Sequence, residues 1–116
     1  MTSLQIAYLS PGSLHAHPRN AREHSDRQIE QIASSIQAFG FNSPVIVDEK
    51  RQILAGHGRV RAALKLGLDH VPTVSIEHLS EGQRRAFMLA DNRLSELSTW
   101  NEPILAAELE ELSEID

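Results

Sequence analysis

Two arginines and two glycines stand together at Gly56-His57-Gly58-Arg59-Val60-Arg61. Arginine forks match phosphate oxygens in both charge and shape. Glycines let a backbone approach a ligand more closely than a side chain would allow. His57 lies between the glycines, where an imidazole can hydrogen-bond a phosphate or act as acid or base near neutral pH. These types at this spacing point to anion binding, with phosphate as the natural ligand. Arg59 and Arg61 are two positions apart and diverge on a regular helix. One is expected to face the ligand, the other to pair with a carboxylate or reach around the turn.

Those residues need an element to present them. Gln52-Ile53-Leu54-Ala55 is a short apolar run of the kind that forms a buried strand. Arg59 to Leu66 are strong helix formers, and Gly67 marks the stop. A strand that turns through glycine into a helix start leaves the first helical amides free, with partial positive charge from the helix dipole. A Gly-x-Gly turn is also a common plain connector, so the spacing alone leaves both readings open.

Two other groups bear on the same chemistry. Residues 13–24 show no periodicity and read as a loop with Arg19, Arg22 and the histidines His15, His17 and His24. No cysteine joins them, and their spacing matches no known zinc-site pattern. Asp91 and Asn92 lie late in a later helix, where a carboxylate suits magnesium and an amide can bridge phosphate or backbone.

The remaining elements follow from period and punctuation. Leu4 to Leu9 alternates as a strand does and meets Ser10-Pro11-Gly12. Ser25 with Gln28 makes a capping box, after which Ile29, Ile32, Ala33, Ile36 and Phe39 line one helix face and Gly40 ends it. Glu30 falls on the opposite side. Val45-Ile46-Val47 is a β-branched strand, joined by the polar Asp48 to Arg51 turn to an antiparallel Gln52–Ala55 strand. Thr73 to Glu77 alternates again. Ser80 with Gln83 repeats the capping box, and the helix from Glu81 to about Ser95 sets Ala86, Leu89, Ala90, Arg93 and Leu97 along one side. Trp100 is expected to anchor the core. A last acidic helix, Glu102 to Leu112, carries Ile104, Leu105, Leu109 and Leu112 on its apolar side, with its cap at Thr99 or Asn101. The order strand, helix, strand, strand, helix, strand, helix, helix implies an α+β fold: a small mixed sheet with helices packed against it.

Composition limits the function classes. At 116 residues the chain supports one core. A net charge of −5 excludes a generally basic nucleic-acid binder, so any DNA contact comes from a local patch or another domain. The absence of cysteine excludes thiol chemistry and a disulfide framework. No apolar run approaches a membrane span and the N-terminus lacks a signal pattern, so a cytoplasmic protein without membrane contact is expected.

Several of these motifs resemble those of the ParB/sulfiredoxin superfamily. Gly56, Arg59, Arg61, Ala62 and Ala63 match its G-E-R-R-x-R-A-A box, while His57 and Gly58 depart from it. Ser35, Ile36, Gly40, Pro44, Val45 and Val47 stand as in S-I-x-x-x-G-x-x-x-P-I-x-V. His17-Pro18-Arg19 resembles the N-P-R motif, with His17 in the asparagine place. Asp91-Asn92 resembles the start of E-N-x-Q-R. The similarity covers Leu4 to Leu97, and the GHGRxRAA and ADNRL stretches resemble the ParB-like domains fused to phage-type DNA methyltransferases.

The resemblance implies a ParB/sulfiredoxin-like fold, with a ParB-like domain over 1–97. The amphipathic helix over 98–116 would pack on that domain or on a partner. It implies a bacterial or phage regulatory module that binds CTP or a related nucleotide and serves DNA partition or modification. Gly56, His57, Gly58, Arg59, Arg61, Arg19 and Asn92 would bind the nucleotide, and Asp91 would hold Mg2+ through it. DNA, a methyltransferase domain and a second copy are the implied partners. Weak CTP hydrolysis, metal-dependent cleavage of DNA phosphodiesters and non-catalytic targeting of a methyltransferase are the alternatives. Sulfiredoxin activity needs a cysteine at the turn and is excluded.

Overall fold

Val45-Ile46-Val47 (β3) and Gln52–Ala55 (β4) pair antiparallel, closing on the turn at Asp48. Asp48 Oδ1 accepts the backbone N–H groups of Lys50 and Gln52 at 2.8 and 2.9 Å, which organises that turn. The computed structural model describes residues 3–115, so positions 1, 2 and 116 of the expected ranges 1–97 and 98–116 lie outside the described residues. Its sheet has five strands in the order β1-β5-β3-β4-β2, with β1 at Ile6–Leu9, β2 at His15–Ala16 and β5 at Val71–Ser75. β1 runs antiparallel to β5, whereas β5 with β3 and β4 with β2 are parallel. Four helices complete it: α1 (Asp26–Phe39), α2 (His57–Leu66), α3 (Glu81–Leu97) and α4 (Glu102–Glu114). The expected α+β class is the observed one.

One strand goes beyond the sequence reading. Residues 13–24, read as a loop, include the end of a 3-10 turn at Pro11–Ser13 and the whole of β2. β2 is two residues long, so it has no period to read, and its partner β4 is distant in sequence.

The core lies between the sheet and α2. Val45, Val47, Ile53, Val60, Ala63 and Val71 are buried together, with Leu14 at their edge. Ala62 and Ala63 have no exposed surface, and their small side chains let α2 approach both neighbours. On its outer side α2 meets Ile29 and Ala33 of α1. The buried stripe of α1 is narrower than its periodicity suggests, for Phe39 is 76% exposed.

The C-terminal half departs most from expectation. α3 has its capping box at Ser80 and Gln83, but it buries Arg84 and Met88. The side expected to pack, Ala86, Leu89, Ala90, Arg93 and Leu97, faces solvent. Periodicity cannot foresee a buried arginine, since that depends on carboxylates brought from elsewhere, here Glu49 and Asp48. Trp100 is 74% exposed and anchors no core among the described residues. Asn101 caps α4 by accepting the Ile104 N–H, and α4 buries no residue.

Candidate functional site

The junction of β4 and α2 is built on glycine. Gly56 caps α2 with φ 100°, a left-handed conformation that L residues with side chains rarely take. A Cβ there would sit 3.4 Å from the Val45 Cα. Helix α2 begins at His57, two residues before the expected start, so Gly58 lies within its first turn. A Cβ on Gly58 would come within 2.9 Å of Ile32 and 3.1 Å of the His24 ring. Glycine here lets α1 and the His24 loop press against the helix start. The Gly56 carbonyl takes the Val60 N–H at 3.0 Å, and no side chain caps the end. The amides of His57, Gly58 and Arg59 precede that first bond, so they have no partner within the helix and remain free for a ligand.

The residues of this turn border a cleft of about 240 Å³. Gly56, His57, Gly58 and Arg59 form its floor, Arg22 and His24 one wall, and Asp91, Asn92 and Ser95 of α3 the other. Arg22 Nη1 donates to Asn92 Oδ1 at 3.1 Å across the opening. The structure thus brings together six of the eight expected site residues.

The other two lie elsewhere. Arg61 donates to the His24 carbonyl at 3.2 Å and stands 3.7 Å from Asp26. It faces a separate cleft of about 490 Å³ with Leu14, Ile53 and Leu64. This is the divergence that two-residue spacing on a helix requires. Arg19 is exposed and outside the cleft lining. Only its backbone is engaged, through an N–H donated to His17 Nδ1 at 3.0 Å. The basic loop does reach the cleft, but through Arg22 and His24. No spacing rule could choose among its cations, because the loop path is set by β2 and the His17 contact. Ser95 was not anticipated from sequence.

Burial sets the charge states. His57 Nε2 is buried without a partner, and removal from water holds the imidazole at a pKa of about 4, helped by the neighbouring His24 and His17 rings. It is neutral at pH 7 and free to donate or accept one hydrogen bond. His24 is also held below its usual value, by burial first and then by the Arg22 and Arg61 charges. For Arg59 burial lowers the pKa while the Asp91 carboxylate opposes it. Arg59 Nη1 donates to the carbonyls of Pro44 at 2.9 Å and Ser43 at 3.4 Å, which fixes its orientation beside the turn. No group of three or more histidine, aspartate or glutamate residues forms a metal cage among the described residues. Asp91 is the single carboxylate lining the cleft.

Beyond Arg59 and Ile32 lies a second cleft of about 270 Å³. Ile36, Phe39 and Phe41 give it apolar walls, and Ser35, Asn42 and Ser43 give it polar edges. A polar cleft therefore adjoins an apolar one across a single arginine.

The ParB N-terminal domain profile matches residues 1–93. The ParB-like nuclease domain-containing protein YnaK of Escherichia coli K12 is 43% identical over 82 residues, covering 71% of this chain and 94% of that protein. The nucleoid occlusion protein of Bacillus cereus strain AH187 is 36% identical over 92 residues, covering 75% of this chain and 31% of its own. The chain thus spans about a third of that relative. Among solved structures, the C-terminally truncated chromosome-partitioning protein ParB from Caulobacter crescentus, complexed with CTP-gamma-S, superposes with a TM-score of 0.73 at 24% identity. It covers 84% of this chain and 56% of that one. Sulfiredoxin from Arabidopsis thaliana superposes at 0.58 with 20% identity, covering 69% and 93%. Both likenesses show a shared fold.

Proposed function

The chain belongs to the ParB N-terminal domain family, and on that premise we propose that its cleft binds a nucleoside triphosphate, CTP or a related one. The observation that carries the reading is the convergence of free α2 amides with Arg22, Arg59, His57 and Asn92 on one opening. Amides at a helix start and arginine forks together favour a multiply charged phosphate chain. Asp91 faces the same opening as the one carboxylate. That suits Mg2+, which is commonly held by one or two carboxylates and the phosphates themselves. The neighbouring apolar cleft, walled by Phe39 and Phe41, is suited to the base. Arg59 between the two clefts then touches the phosphate side while its partner carbonyls hold it in place.

Neutral His57 fits a role as a hydrogen-bonding contact. It stands where the family box has glutamate, so binding without rapid hydrolysis is the expected behaviour. A metal-dependent nuclease would need clustered carboxylates at an open metal site, and Asp91 has none beside it in the cleft lining. A place in a partition system is supported by the likeness to the nucleoid occlusion protein and to ParB, and service to a DNA-modification system is the alternative. A net charge of −5 favours DNA engagement through further chain, a methyltransferase domain or a second copy. In this reading residues 1–97 carry the nucleotide and 98–116 the partner-facing helix.

Calorimetric titration of CTP, ATP and ADP with magnesium tests the proposal. Wild type is expected to bind CTP or a related triphosphate, and Arg22→Ala and Arg59→Ala to weaken it by about tenfold or more, one charge-assisted bond each. Arg19→Ala is expected to leave affinity unchanged. No binding of any nucleotide by the folded wild type would overturn it.

A further inference from the structure

Away from the cleft the chain buries a polar cluster that phosphate binding does not use. His17 is 3% exposed. Its Nδ1 accepts the Arg19 N–H, so the ring proton sits on Nε2, and Nε2 donates to Glu81 Oε1 at 3.1 Å. Glu81 is the first residue of α3. Its other oxygen accepts from Arg84 Nη1 at 3.4 Å, and Arg84 Nη2 donates to Glu49 in the β3–β4 turn. Asp48, 1% exposed, completes the cluster with Oδ2 4.0 Å from Arg84 Nη1. One histidine thus ties the loop after β2 to the start of α3.

Both structures joined by that tie continue into the cleft. The loop runs on from His17 to Arg22 and His24, and α3 runs on from Glu81 to Asp91 and Asn92. Asn92 lies about 16 Å along the helix from Glu81, so a tilt of about 10° at the first turn moves it by about 3 Å. That is enough to break a hydrogen bond across the opening. Beyond that tie, α3 is held near its start by the Arg84 cluster and by buried Met88, while toward Asn92 the Arg22–Asn92 bond is exposed.

We propose that His17 is a positioning residue that sets the separation of the two cleft walls, by bonding Glu81 of α3 from the loop after β2. The effect on ligand affinity rests on the nucleotide reading above; the effect on α3 does not. Two substitutions divide the bridge. In His17→Asn the amide oxygen can still accept the Arg19 N–H, but the side chain is too short for Glu81. In His17→Gln the amide nitrogen reaches about as far as Nε2 and keeps the Glu81 bond.

The measurements are hydrogen exchange of α3 backbone amides without ligand, melting temperature, and calorimetric titration of Mg–CTP. His17→Asn is expected to speed exchange over residues 87–97 and to weaken Mg–CTP, each by about tenfold, the loss of one charge-assisted bond. His17→Gln is expected to stay within about threefold of wild type on both. Glu81→Ala removes this bond and the Arg84 contact, so it should perturb α3 at least as much as His17→Asn, and adding His17→Asn to it should make little further difference because the shared bond is already gone. If His17→Asn and His17→Gln perturb α3 exchange equally, or His17→Asn leaves it unchanged, the proposal is overturned and His17 is core filling. If α3 exchange separates the variants while wild type binds no nucleotide, the positioning of α3 stands and only the nucleotide reading fails.

Discussion

The two halves of this chain are held together in different ways. From β3 to β5, Val45, Ala62, Ala63 and Val71 have no exposed surface, and apolar packing does the holding. From α3 onward, Leu89, Leu94, Leu97, Trp100 and Ile104 are all more than half exposed. There the links back to the body are largely polar: the Arg84 cluster, the His17–Glu81 bond and the Arg22–Asn92 bond. The cleft lies on the seam, its floor set by the packed half and its far wall by the polar-tethered one. Stability and site geometry should therefore respond to different substitutions, because burial stabilises in proportion to area whereas a polar link mainly fixes direction.

The largest effect belongs to the packed half. Ile53→Ala, at a residue 4% exposed, should cost about 2–5 kcal/mol, measured by urea denaturation. A cost near zero would break the contrast at once. Gly56→Ala should cost about 1–2 kcal/mol from forcing a side chain into the left-handed region. It should also displace the turn amides, so its loss of nucleotide affinity should exceed what its stability change suggests.

Acid titration probes the seam. His57 has a pKa of about 4 folded against 6.5 for the unfolded imidazole. As pH falls the unfolded chain takes the proton first, so stability is full above about 6.5, declines toward 4 and levels below. Melting temperature followed between pH 7.5 and 4 should show that decline, and His57→Asn should flatten it. The smallest effect is expected on the outer half, where Leu97→Ala at 58% exposure should change stability by no more than about 0.5 kcal/mol. A large cost there would mean that α3 packs on this face in solution.

Much of the local structure could be read directly from residue order. The two capping boxes, the glycine stops at Gly40 and Gly67 and the paired strands around Asp48 lie where local rules put them. Each is a short-range consequence of a side chain meeting its own backbone or of a backbone angle only glycine takes freely. The glycine turn into α2 was legible for the same reason, since Gly56 to Arg59 are consecutive and their geometry is local. What could not be read were the choices that need a distant partner. β2 exists only against β4, and Arg84 rather than Leu89 is buried because Glu49 and Asp48 stand opposite. Arg22 rather than Arg19 meets Asn92 on a loop whose path is held by the His17 ring at Arg19 and by the Asn20 side chain at the Arg22 backbone. Sequence determined the helix caps, the β3–β4 hairpin and the glycine turn into α2 through bonds spanning a few residues. Tertiary structure alone decided which cations reach the cleft and which face of α3 turns inward, because a buried charge is tolerated only where folding supplies its counter-charge.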